Sequence, residues 1–220
     1  MRSGFLAPNA IGPASLTLGG AWYLAGDAPA PVVAYQPKGA ASLADSYVNL
    51  ASPGTKDAAP GVAPTLTADG WLFNGASQYL LTGATPTQSW SAIVRFSGQP
   101  GNDAYLFGVR NTSNGARFGI SPTSGGANVA YWLGSSVALK VPVLAAGVLA
   151  IAGGAGYRNG VSEIAVVANA DAGLKCYIGA VKQDASPNLY AATTIIAFAL
   201  WDVSLSSAQV AAVSAAMAAL

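Results

Sequence analysis

The sequence contains no histidine, a single cysteine (Cys176) and a single glutamate (Glu163). Charged residues make up 9% of it, against about 25% in typical soluble domains. Each shortage removes a class of chemistry. Without histidine there is no Ser-His-Asp or Cys-His nucleophile and no histidine-bound metal. A lone cysteine closes no intrachain disulfide, and in a strand it reads as a small buried apolar side chain. Glycoside hydrolysis needs two carboxylates flanking the scissile bond. Glu163 stands in Val161-Ser162-Glu163-Ile164-Ala165 without an acidic neighbour, and the aspartates fall mostly in loops. The expectation is a protein that is not an enzyme and has no cofactor. A net charge of +1 gives no electrostatic case for nucleic acid. No apolar run approaches the roughly 18 residues a spanning helix needs, so membrane insertion is not expected. At the N-terminus Arg2 is followed by Pro8 and Pro13 with no continuous apolar core, so no signal peptide is read there.

What the chain does have is short apolar runs punctuated by glycine and proline. Its 220 residues suit one large β domain. Strands are predicted at residues 21–24, 32–36, 71–73, 78–81, 90–96, 105–109, 117–120, 129–133, 148–152, 164–168, 175–178 and 195–201. Residues 42–50 suit a helical turn and 52–64 a Pro/Gly loop. Turns every eight to twelve residues or so indicate a sandwich or jelly roll. Alternation puts Trp90, Ala92, Val94 and Phe96 on one strand face, and Ser91, Ile93 and Arg95 on the other. The expected core includes Trp90, Val94, Phe96, Phe118, Ile178, Phe198 and Leu200. The last strand is followed by a helix signal: Ser206 as N-cap, Gln209 completing a capping box, and a stripe of Val210, Val213, Met217 and Leu220.

Residues 1–20 read as an extended arm that does not bury itself alone, ahead of a sandwich domain over 21–220. Phe5, Leu6, Ile11 and Leu16 of the arm, with Ala212 and Ala216 of the charge-poor helix, are the expected contacts of self-association into a homotrimer or larger symmetric assembly.

The order of motifs resembles the concanavalin A-like lectin/glucanase superfamily in its laminin-G-like jelly-roll form. Val33-Ala34-Tyr35 followed by Asp45-Ser46 and Asn49 is similar to the family's opening strand and loop. Trp71-Leu72-Phe73-Asn74-Gly75 with Gln78-Tyr79-Leu80 is similar to its next hairpin, Trp90 to Phe96 to its central strand, and Tyr157-Arg158-Asn159-Gly160-Val161 to its Asn-Gly hairpin. Ile178-Gly179, Ile195 to Trp201 and Leu205-Ser206 with Gln209-Val210 are similar to the closing strands and helix start. Tyr190-Ala191-Ala192 and Ile93 depart from the pattern. The resemblance covers about residues 21 to 220. It implies an all-β, two-sheet antiparallel jelly-roll sandwich with a short C-terminal α-helix.

Similar domains occur in phage and prophage virion proteins. The expected function is therefore a structural or adhesive virion component of a phage-like particle, such as a fibre, spike or decoration protein. It would be made in the host cytoplasm and act in the virion, with itself, other virion proteins and a glycan as partners. The alternative is a cellular carbohydrate-binding lectin module.

Candidate contact residues are few. Tyr131-Trp132 and Trp22-Tyr23 offer aromatics for sugar stacking, and alternation turns one of each pair outward. Arg110, Asn111 and Asn114 form a polar loop, readable as a ligand rim or as a solvated turn. Asp45 and Asn49 are too few oxygens for calcium, so no metal site is expected. Gly153-Gly154-Ala155-Gly156 lacks the Gly-Lys-Ser/Thr ending of a phosphate loop. Asn111-Thr112-Ser113 matches a glycosylation sequon, which has meaning only in a secreted chain.

Overall fold

The alternation at residues 90–96 makes one face of that strand wholly apolar and places Ile93 on the other, so each face needs a cover. A computed structural model, which describes residues 21–220, shows two different covers. The described residues form an eight-stranded and a nine-stranded sheet. In order across the first sheet stand β13 (Val161–Ala165), β12 (Ala155–Arg158), β11 (Ala146–Ala152), β6 (Ser91–Ser97), β17 (Thr194–Trp201), β4 (Gly70–Leu72) and β3 (Thr65–Thr67). Strand β1 (Val33–Tyr35) also pairs with β17. The second sheet runs β10 (Ser136–Lys140), β9 (Asn128–Gly134), β8 (Arg117–Ser124), β7 (Phe107–Arg110), β14 (Tyr177–Ile178), β5 (Tyr79–Leu81) and β2 (Ala59–Val62). Strand β15 (Val181–Gln183) lies parallel to β7 and pairs with β16 (Ser186–Asn188). The remaining pairings are antiparallel, giving the expected sandwich.

Ala92, Val94 and Phe96 of β6 enter the core between the sheets with Tyr35, Trp71, Phe107, Phe118, Ile178, Phe198 and Leu200. Trp90 is only partly buried and packs at the edge of this core. A short helix, α1 (Leu43–Ser46), follows β1. Ile93, Val148, Ala199 and Trp201 project the other way, into a second core under helix α2 (Ser207–Ala218). The helix begins as predicted: Ser206 Oγ accepts from Gln209 N, and Gln209 Oε1 accepts from Ser206 N. Val210, Val213 and Met217 are buried against the sheet. At its other end, Arg95 donates to the Met217 carbonyl at 2.8 Å, placing a cation where the helix dipole is negative.

Several expectations need correction. Residues 21–24 are no strand. They enter a 3₁₀ segment, Trp22–Asp27, that kinks at Ala25–Gly26 and packs on α2. Ala212 and Ala216, the expected subunit contacts, are partly buried within the single chain. A Cβ placed on Gly26 would stand 2.5 Å from Ala212 Cβ, so alanine here lets two segments of one chain approach closely. Phe5, Leu6, Ile11 and Leu16 lie outside the described residues.

The Asn74-Gly75 turn closes no hairpin, because β4 belongs to one sheet and β5 to the other. Asn74 Oδ1 accepts from the N–H groups of Ala76, Ser77 and Gln78 and turns the chain across the sandwich. Asn159-Gly160 does close the β12–β13 hairpin, with φ of 49° and 82°, the positive pair that a type I′ turn requires. The 52–64 loop contains the edge strand β2, where Pro60 is tolerated.

Candidate functional site

Strand alternation in β7, β8 and β9 sends Phe107, Val109, Phe118, Ile120, Val129, Tyr131 and Leu133 into the core. Arg110, Arg117, Gly119, Ser121 and Trp132 then occupy the outer face of the second sheet. Cross-strand register aligns one row over this face: Tyr177 opposite Gly108, Gly108 opposite Gly119, Gly119 opposite Trp132, and Trp132 opposite Val137. Two glycines between two aromatics leave a trough. Tyr105 fills its floor, its Cδ1 lying 3.0 and 3.1 Å from where a Cβ on Gly108 or Gly119 would stand. The Tyr105 and Trp132 rings stack at 6.4 Å between centroids and 22° between planes. The Arg117 guanidinium carbon lies 3.9 Å from the Trp132 ring centroid, a cation–π contact.

Above this platform lies a recess of about 370 Å³, lined by Asp103, Tyr105, Arg110, Arg117, Ser121, Ser124, Trp132 and Leu189. Trp132 Nε1 and Ser121 Oγ are both removed from solvent without a hydrogen-bond partner among the described residues. An unpaired buried donor costs about 1–3 kcal/mol, so two in one recess call for an acceptor. Asp103 is already engaged, accepting from Ser124 Oγ and Gly125 N. Burial pushes the Tyr105 hydroxyl up to about 12, with Arg117 pulling the other way. Tyr105 is therefore a neutral phenol at ordinary pH.

Of the residues singled out in the sequence, Arg110 and Trp132 meet in this recess. Tyr131 does not: it is fully buried, and its hydroxyl donates to Glu163 at 2.6 Å. That rules it out as a surface contact. Asn111 and Asn114 hold the β7–β8 turn, accepting from Ser113 and Ala116 and donating to Ala172 and Asp171 carbonyls. Trp22 is buried under α2, and Tyr23 donates to the Leu50 carbonyl. Asn49 is fully buried, its amide spanning Val32, Ala34, Ala51 and Thr55. Tyr105, Arg117 and Ser121 were not singled out. Arg117 and Ser121 share the parity of their strand, but only the β8–β9 register sets them beside Trp132.

Other features carry less chemistry. A second recess of about 370 Å³ between Thr87–Ser89 and Ala168–Asp171 holds the unpartnered Gln88 amide and no aromatic ring. A smaller one of about 210 Å³ lies beside Lys38 and Asp45. Glu163, on β13, pairs with Arg158 at 3.0 Å, away from the recess. Burial pushes the Cys176 thiol up, marking it as structural. No group of three or more acidic or Cys side chains suited to a metal ion occurs among the described residues.

No protein-family model matches the chain, and a search of curated proteins gives no significant match. Solved structures do resemble it. Domain 4 of AbnA, a GH43 extracellular arabinanase from Geobacillus stearothermophilus in complex with arabinotriose, superposes with a TM-score of 0.61 at 15% identity. That match covers 84% of this chain and 98% of that one. A mutant of Trypanosoma rangeli sialidase displaying trans-sialidase activity gives a TM-score of 0.51 at 17% identity, over 73% of this chain and 30% of the sialidase. At these identities the likeness shows the β-sandwich fold alone.

Proposed function

We propose that this chain is a non-catalytic carbohydrate-binding module that seats a glycan on the outer face of its second sheet. The observation that carries the reading is the Tyr105–Trp132–Arg117 platform beneath a recess with two unpartnered buried donors. A sugar ring offers what this surface lacks: an apolar face to stack on an aromatic, and hydroxyls to accept from an indole N–H and a serine. The arabinanase domain, which this chain nearly spans, was solved with an arabinose trisaccharide, and this supports the class of ligand. Asp103 is the one carboxylate lining the recess, which favours binding over a two-carboxylate hydrolysis. Membership of a phage-like particle draws on sequence character alone, and no feature of the recess supports it.

The test is a glycan array followed by calorimetry with the strongest binder. Trp132→Ala should weaken binding by about tenfold or more, the weight that truncated tryptophan anchors carry, with the cooperative melt retained. Undiminished binding by a folded Trp132→Ala variant would move the site elsewhere.

A further inference from the structure

The trough also carries a charge arrangement that a neutral sugar does not explain. Arg110 and Arg117 stand directly opposite each other across β7 and β8, on the same outer face and in the same recess. Like charges at directly opposed positions destabilise an antiparallel pair. A sheet commonly relieves such a pair with a carboxylate nearby, yet neither guanidinium has a carboxylate oxygen within ion-pair distance among the described residues, where the one ion pair is Arg158 with Glu163. The acidic groups nearest them are otherwise engaged. Asp103 holds Ser124 and the Gly125 amide, and Asp184 holds the Thr112 amide and hydroxyl. Arg110 reaches Gln183 Oε1 only at 3.5 Å. Both arginines are partly buried, so water relieves them less than it would on an open surface.

From this pair we infer that the ligand is an acidic sugar, whose carboxylate sits between Arg110 and Arg117 while its ring stacks beside Trp132. The inference rests on the carbohydrate-binding reading and narrows it to a substrate class. Guanidinium forks match a carboxylate in two-point hydrogen bonding. A carboxylate placed there would turn a repulsive cross-strand pair into a bridged one. The rest of the sugar would lie against Ser121 and Trp132, which line the same recess.

The experiment uses the parent protein first. Arrayed sialylated, uronic-acid and neutral oligosaccharides are screened, and the tightest acidic binder is compared by calorimetry with its own methyl ester, which keeps every atom of the sugar and loses the charge. The expected result is that the acid binds about tenfold or more tightly than the ester, as charge-assisted hydrogen bonds predict, and that the gap narrows as salt is raised. Arg110→Gln and Arg117→Gln should each shrink it. Equal affinity for acid and ester, or selection of neutral sugars only, would overturn the acidic-sugar inference and leave the carbohydrate reading standing. No binding to any sugar class by folded protein would overturn both.

Discussion

Trp132 and Tyr131 are neighbours in sequence with opposite roles, and the difference is set by strand parity. Tyr131 points between the sheets, where Glu163 accepts its hydrogen bond, and burial, then that carboxylate, hold the phenol well above the ordinary tyrosine range. Trp132 points out, over the arginine that shares its face. Tyr35 and Cys176 are likewise pushed up by burial, and Tyr105 reaches about 12. These shifts make a stability statement. An unfolded chain releases such protons near pH 9–10, while the native state keeps them, so the native state binds more protons above that range. The contribution is fully present below the unfolded values and is lost as pH rises through the folded ones. The midpoint of urea denaturation should therefore fall as pH rises from about 9 toward about 12. A midpoint unchanged over that interval would mean these side chains are not buried as described.

At the level of elements, the terminal helix was legible and its neighbours only partly so. A capping box and an apolar stripe are local signals, and α2 follows them. What the helix covers is a long-range matter. Its alanines read as a face for another subunit; within this chain Ala212 meets the Trp22–Asp27 segment, which lies nearly the whole domain away in sequence and itself resembles a strand. The turn at Asn74-Gly75 departs from the hairpin for a related reason: an Asn-Gly pair specifies a sharp reversal, but not whether the next strand joins the same sheet. The site suffered most. Arg110 and Trp132 were visible as residue types, whereas the trough exists only through the register of five strands. Close packing at the helix gives a direct test. Ala212→Glu should destabilise the domain by about 1–3 kcal/mol through collision with Gly26. An unchanged denaturation midpoint, with a smaller mass by light scattering, would return Ala212 to an interface between subunits.

As a whole, the molecule separates scaffold from surface. The first sheet is covered on both faces, by the second sheet and by α2, and serves packing. The second sheet is covered on its inner face, and among the described residues its outer one stays open, where two glycines, two aromatics and two opposed arginines replace ordinary solvent-facing residues. A sandwich host to so many activities names none of them by itself. The claim rests on that outer face. Its most direct test is the indole N–H resonance of Trp132 during titration with the glycan the array selects. Nε1 has no hydrogen-bond partner among the described residues. The account predicts that this signal shifts progressively to saturation, together with the amides of Arg110, Arg117 and Ser121. If the glycan binds while these resonances stay fixed and those of Gln88 and Asn169 move instead, the site lies at the other recess and the account is wrong.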